Sequence, residues 1–353
     1  MNESVLSFKD KYFGDKNFYK MTLTIAIPII IQNLLTNLVS MADNIMVGQL
    51  GTNQMSGVAI INQLFFVFNL LVFGGMSGAG LFSAQYFGQK NHNGVRNVFR
   101  MKILIGITII AISISVMIFL HEPLINMFLH EGSSSGNIQE TFNYAKNYLY
   151  IMVIGIAPFV ISNCYNTTLK ESGQTVVPMK AGVLAVVFDI VLNYIFIFGK
   201  LGFPAMGVVG AAIATVISRF VECGYLVIYT HIHSNDYPFI KHCYRTLKVP
   251  GSLVKKIIVT GAPLMLNEFL WAGGLTLQTQ ALSTKGLATV GGLNICNTIG
   301  NISNCIFVTM GTTIAIVVGQ LLGAGKLKEA KLTATRMAAF SLLISFGMFI
   351  ILG

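Results

Sequence analysis

Residues 25–35 read IAIPIIIQNLL and residues 260–270 read TGAPLMLNEFL. One shift of 235 residues lays Pro28 on Pro263 and Leu35 on Leu270. Held constant, it also lays Gly51 on Gly286, Gly57 on Gly292, Ile60 on Ile295, Asn62 on Asn297 and Asn69 on Asn304. Gln85 and Gly88 of AQYFGQ then meet Gln320 and Gly323 of GQLLGA. Glycine and isoleucine matches are common by chance in an apolar chain. Polar residues repeated at one offset inside apolar runs are not, so the chain carries a tandem repeat.

Composition says where the repeat lives. The 353 residues are 54% hydrophobic and 10% charged, with a mean hydropathy of +0.70. A soluble protein carries about 25% charged residues, so this chain cannot clothe a water-facing surface. It reads as an all-α integral membrane protein, a polytopic helical bundle. Windows long enough to cross a bilayer, ~20 residues, fall near 21–47, 54–86, 98–120, 142–166, 177–199, 207–230, 256–283, 287–322 and 333–353. No Arg/Lys-rich segment, short apolar run and small-residue cleavage site follow one another at the start, so a removed signal peptide is not expected.

The net charge of +10 would suit nucleic acid if it were spread over a surface, but it is sorted by side. Lys9, Lys11, Lys16 and Lys20 precede the first window, and Lys90, Arg96, Arg100 and Lys102 surround the second connection. Lys170 and Lys180 flank the fourth, Lys241 to Lys256 the sixth, and Lys326 to Arg336 the eighth. Opposite connections hold Lys200, Lys285 and, at a helix mouth, Lys146. The positive-inside rule makes the N-terminus cytoplasmic and the location the cell membrane. Nucleic acid is excluded as a partner; the lipid bilayer is one. Cys164, Cys223, Cys243, Cys296 and Cys305 form no C-x-x-C pair and read as packing residues.

Six windows separate the two copies, so both units share one orientation, a parallel transporter-type repeat. The organisation expected is a cytoplasmic tail at 1–20, an N-terminal six-helix lobe at 21–235, a cytoplasmic linker at 236–255 and a partial C-terminal lobe at 256–353. The second of the two six-helix repeats is incomplete, as if about three helices of twelve were missing.

Ionisable groups inside such windows are candidate functional sites, because each is unfavourable in hydrocarbon unless paired or solvated. MADNIMVGQLG, 41–51, ends a run from Met21 that has no charge before Asp43. At 1.5 Å rise, Asp43 lies ~33 Å beyond Lys20, in the outer half. Asp189 falls about halfway up the fifth window, and Asn193, four residues on, shares its helix face. Thr215 lies ~12 Å below the outer start of the sixth. Asp43, Asp189, Asn193 and Thr215 thus stand at compatible depths and offer oxygen ligands, which suit a hard cation such as Na⁺; a desolvated carboxyl would alternatively carry a proton. A helix-end cap at Asp43 and a structurally paired polar residue at Asp189 are the plain alternatives. Glu268 lies ~18 Å from Lys256, near the midplane, and its repeat counterpart is Asn33. Arg219 and Glu222, three apart, read as a structural ion pair. Pro28 and Pro263 each remove a helix hydrogen bond, at equivalent places, and so mark kinks or static curvature.

Several pieces together resemble one family: IAIPIIIQNLL with MADNIMVGQLG, SAQYFGQKN at 83–91, TGAPLMLNEFL, and NYIFIFGKLGFPAMGVVGAAIATVIS at 193–218. They are similar to the multidrug and toxic-compound extrusion (MATE) family of secondary transporters. The resemblance covers nearly the whole chain and is most specific at 193–218. It implies twelve helices in two six-helix lobes around a central cavity, and export of organic, often cationic, compounds in exchange for Na⁺ or H⁺. It places Asp43 on the family's first-helix aspartate, and Asn193 and Thr215 on polar positions near the cation site of the N-terminal lobe. It places Glu268 where members have a carboxylate implicated in coupling or substrate binding, and it implies a bending first helix. The fifth-helix pair departs from the family's more usual Asn-x-x-x-Asp or Asn-x-x-x-Asn. Here it reads Asp189-x-x-x-Asn193, which keeps the ligand chemistry and moves a charge by one turn.

The expectation is a monomeric cation-coupled exporter of organic cations, with no cofactor beyond the coupling ion and no enzymatic activity. The alternative is a carrier that flips a lipid-linked or polysaccharide precursor, which a cationic cavity would favour. GQLLGAGKL at 319–327 fails the phosphate-loop spacing, and HIHSND at 231–236 is a weak metal signal.

Overall fold

A backbone N–H or C=O without a partner in hydrocarbon costs several kcal/mol, so a chain of this composition crosses a bilayer as helices. The computed structural model describes the backbone of residues 7–129, 137–283 and 287–352, and their side chains other than 276, 279–299, 302, 349, 351 and 352. Among these residues all regular structure is helical. In order it comprises α1 (Phe8–Tyr12), α2 (Lys16–Gly48), α3 (Thr52–Gly88), α4 (His92–Phe119), α5 (His121–Asn126) and α6 (Ile138–Ile154). Then follow α7 (Ile156–Glu171), α8 (Val176–Phe198), α9 (Val208–Ile232), α10 (Gly251–Ser283), α11 (Leu287–Gly323) and α12 (Leu327–Leu352). Gly286, Gly292, Ile295 and Asn297 of the repeat, with Lys285 and Cys296, have side chains or backbone outside the described residues.

Local chemistry sets the ends. Asp15 caps α2 by accepting from Phe18 N at 2.9 Å, Asn91 caps α4 through Gly94 N at 2.9 Å, and Asn137 caps α6 through Gln139 N at 3.0 Å. Helix α8 stops at Gly199, whose φ of +66° is the left-handed end that glycine favours.

Among the described residues six helical stretches are long and apolar enough to cross a membrane: Phe8–Gly48, α3, α4, α8, α9 and Ser303–Gly323. The pair α6 and α7 makes a seventh, bent by 47°. The chain is a multi-pass membrane protein. Of the nine expected windows these account for seven, and the fourth, 142–166, is corrected from one straight helix to a broken one. Pro158 is the cause: it has no N–H for the carbonyl of Ile154, and its ring crowds that carbonyl, so the helix parts at Gly155. Helices α10 and α12 run through the seventh and ninth windows. Thr260, Asn267 and Glu268 dilute the apolar run of α10.

The largest core joins α3, α4, α6, α7, α8 and α9, with Ile61, Phe99, Leu149, Ile156, Leu169 and Leu226 fully buried. Two smaller cores fasten α2 to α11 and α12, and α3 and α4 to α10. Phe18, Ile25 and Ile29 of α2 meet Ile316, Val317 and Met337, and Ala79, Val98 and Met101 meet Leu253 and Ile257. The segment between α9 and α10 is pinned to α4. Arg96 donates to the carbonyls of Pro238 and Phe239, at 3.1 and 3.4 Å, and Arg100 to those of His242 and Cys243, both at 2.9 Å.

Where α3 and α11 cross, residues related by the 235-residue offset meet. A Cβ on Gly88 would fall on the carbonyl of Gln320, and one on Gly323 on the carbonyl of Gln85. The 235-residue offset exchanges these two contacts, so both helices need glycine at the same step. Substituting Gly88 by Val should lower the thermal midpoint in detergent by an amount equivalent to about 1–3 kcal/mol of overpacking. Adding Gly323→Val should cost less than a second full increment, because both changes part the same two helices. A thiol-reactive dye reporting exposure of buried Cys164 and Cys243 reads this directly, and an unchanged midpoint would show that the crossing is loose.

Candidate functional site

Helix α2 carries Asp43 one turn before its end at Gly48, and α8 carries Asp189 and Asn193 on its buried face. Asn193 is completely buried and Asp189 nearly so, at 3% exposure. The Asn193 amide nitrogen donates to Asp43 Oδ1 at 2.6 Å and to Asp189 Oδ2 at 3.1 Å. One side chain therefore ties two helices through two carboxyl groups. Ser218 on α9 donates from Oγ to Asp189 Oδ1 at 3.1 Å, and the Thr215 hydroxyl, one turn away on the same helix face, also turns to Asp189. Asn193 Oδ1 is buried and has no hydrogen-bond partner. An orphaned amide oxygen beside two carboxyls and two hydroxyls is a set of hard oxygen donors, the kind that suits Na⁺ or a proton. Among the described residues no three His, Cys, Asp or Glu side chains cluster, which leaves amide and hydroxyl oxygens to complete any shell.

Glu268 is elsewhere. It lines a cavity of about 410 Å³, together with Met76 and Phe73 of α3, Asn163, Thr167, Lys170 and Glu171 of α7, and Thr312 of α11. Asn33 of α2, 235 residues before it, donates to Thr309 Oγ1 of α11 at 3.1 Å. Pro28 is buried within α2. The carbonyl of Thr24 that it leaves without a helical donor faces Thr175 Oγ1 at 3.5 Å. Pro263 lies inside α10 and is exposed.

The MatE family model matches residues 28–195 and 263–352. The chain belongs to this family. A probable multidrug resistance protein NorM of Thermotoga maritima is 29% identical over 306 residues, which are 87% of this chain and 64% of that protein. A protein of the same description from Halalkalibacterium halodurans is 28% identical over 334 residues, 92% of this chain and 69% of that one. A solved multidrug resistance MATE transporter of the MOP superfamily, in an outward-facing conformation, shares the fold with a TM-score of 0.80 at 23% identity; the match covers 96% of this chain and 71% of that one. The chain thus spans a little under two thirds of the length of the first of these relatives.

Within this MatE fold two sequence expectations change. Lys102, counted among the lysines that mark the cytoplasmic side, is completely buried and salt-bridged to Glu171 at 2.6 Å. Its ammonium also donates to Thr167 at 2.9 Å and Thr168 at 3.3 Å. Arg219 and Glu222 do not pair, and Glu222 has no ion pair among the described residues. Arg219 instead lies over the rings of Phe159 and Phe65, at 5.0 and 5.3 Å, and donates to the carbonyl of Gly155 at 3.4 Å. Spacing of three permits a pair on a bare helix, but two aromatic faces and the Gly155 carbonyl offer this cation more. Ser218 escaped the sequence reading, although its place three residues after Thr215 puts it on the same face of α9. Replacing Lys102 with Met should destabilise the fold by about 3–5 kcal/mol, since Glu171 then keeps a charge with no partner. Pairing it with Glu171→Leu should restore most of that, and thermal unfolding of the single and double variants measures both.

Proposed function

We propose that this chain works as a cation-coupled exporter of organic cations by alternating access, with Asp43, Asp189, Asn193, Thr215 and Ser218 as the coupling site for Na⁺ or H⁺. The bridge made by Asn193 carries the reading. Two carboxyls drawn to one amide in a low-dielectric interior repel each other unless a positive charge sits between them. The unpartnered Asn193 Oδ1 supplies a further ligand for it. A cation entering there changes the attraction between α2 and α8, and α2 also packs against α11 and α12 of the second unit. An ion drives the cycle only if it binds the two conformations with different affinity, and a site assembled from two helices meets that condition whenever they move apart.

The cavity between the units is the substrate site in this reading. Its aromatic, methionine and apolar lining suits planar lipophilic molecules, and Glu268 provides the countercharge for a cation. Lys170 is the cavity's single cation among the described residues, because Lys102 beneath it is committed to Glu171. That is too little positive charge to favour a lipid-linked pyrophosphate. The N-terminus is cytoplasmic, the unit at 21–235 and the partial unit at 256–353 are the two lobes, and Pro28 and Pro263 let α2 and α10 bend between states. The protein works as a monomer.

Ethidium efflux from energised cells tests the proposal. Asp43→Asn should abolish efflux, a loss of at least about tenfold in rate at unchanged membrane insertion, since one missing carboxylate forfeits more than 1.4 kcal/mol of ion-driven bias. Imposing either a Na⁺ or a pH gradient on loaded vesicles identifies the ion. Undiminished efflux by Asp43→Asn would remove that residue from the coupling site.

A further inference from the structure

The break in the fourth span and the cation site touch the same turn of α9. Ser218 donates to Asp189, and the next residue, Arg219, donates to the carbonyl of Gly155, the residue at which α6 and α7 part by 47°. The guanidinium is gripped between Phe65 of α3 and Phe159 of α7, and it lies within electrostatic reach of Asp189 and Glu222. Gly155 leaves just enough room for it: a Cβ there would stand 3.1 Å from Arg219 Cδ and 3.3 Å from Nη1. Beyond the break, α7 carries Asn163, Thr167, Lys170 and Glu171 into the wall of the inter-unit cavity. Its last carbonyl, that of Glu171, accepts from Gln320 Nε2 of α11 at 2.8 Å. One continuous set of contacts therefore joins the cation site to the cavity wall and to the second unit.

We propose that Arg219 is a positioning residue that sets the angle of the α6–α7 break according to cation occupancy, and so couples the cation site to substrate binding. The inference rests on the exporter reading given above. With the site unfilled, the guanidinium is drawn towards the Asp189 carboxylate. A cation at Asp189 cancels that pull and leaves Arg219 to the Gly155 carbonyl, the two rings and Glu222. The lever is long. Asn163 and Glu171 lie ~12 and ~24 Å beyond Gly155 along α7, so a change of about 10° moves them by roughly 2 and 4 Å. That displacement is enough to reshape a cavity wall and to release the Gln320 contact. No covalent step is involved.

The test separates coupling from binding. Ethidium affinity of the purified chain is titrated by fluorescence without Na⁺, with saturating Na⁺, and at two pH values in the absence of Na⁺. In the unaltered protein the coupling cation should weaken ethidium binding by about 5- to 150-fold, the usual span of such couplings. Arg219→Gln removes the forked donor, and Gly155→Ala keeps the charge while pushing it off the carbonyl. Each should leave cation-free ethidium affinity within about threefold of the original and bring the ratio to within about twofold of one. A merely structural Arg219 would lower both affinities together and keep the ratio. If Arg219→Gln does not accumulate, Gly155→Ala decides, and Arg219→Lys should keep part of the ratio. A preserved ratio in any variant that elutes as a single species, Arg219→Lys excepted, overturns the inference and leaves the exporter reading standing. A ratio of one in the unaltered protein overturns both.

Discussion

Everything in this fold answers to one constraint: within hydrocarbon, each backbone carbonyl and N–H must find a partner inside the protein. Unbroken helices meet it alone. At three places where a helix is interrupted or ends, a side chain reaches a backbone carbonyl. The Thr24 carbonyl freed by Pro28 faces the Thr175 hydroxyl. Gly155, at the break that Pro158 imposes, holds the Arg219 guanidinium. The Glu171 carbonyl at the end of α7 takes the Gln320 amide. Thr175 caps α8, Arg219 lies on α9 and Gln320 on α11, so the same requirement that shapes each helix also stitches helices together.

Charge follows the same logic. Lys102 is completely buried, yet Glu171 and two threonines surround its ammonium. Arg219 has aromatic faces and a carbonyl. Asp43 and Asp189 have one amide between them, and that amide's own oxygen has nothing. The two satisfied cations read as structure. The carboxyl pair differs from them in holding no cation's side chain: its donors are the Asn193 amide and, at Asp189, the Ser218 hydroxyl.

Much of the architecture was legible from one-dimensional signals. Hydropathy windows locate helices because burial in lipid demands continuous apolar length, and six of the windows are matched by long apolar helices. Depth counting brought Asp43, Asp189, Asn193 and Thr215 to one level because helical rise is constant, and the structure does bring the first three into contact with one another through Asn193. The Gly155 break was written in the sequence as Gly-x-x-Pro and was masked by an apolar composition that looked the same on both sides. Arg219 and Glu222 were paired on spacing alone, and spacing is silent about aromatic rings contributed by α3 and α7. Lys102 was read by its position in the chain, whereas its partner Glu171 is 69 residues away.

By itself the sequence determined that this is a helical membrane protein, that residues such as Pro28, Gln85 and Gly88 recur at an offset of 235, and which few polar residues stand within its apolar windows. Those properties depend on composition, period and offset, which are local or strictly periodic. Only the tertiary structure decided which polar groups satisfy one another and which, Asn193 Oδ1 among them, are left without a partner. Hydrogen-bond satisfaction depends on which helix faces meet, and in an almost uniformly apolar chain no pattern along a single helix records that choice.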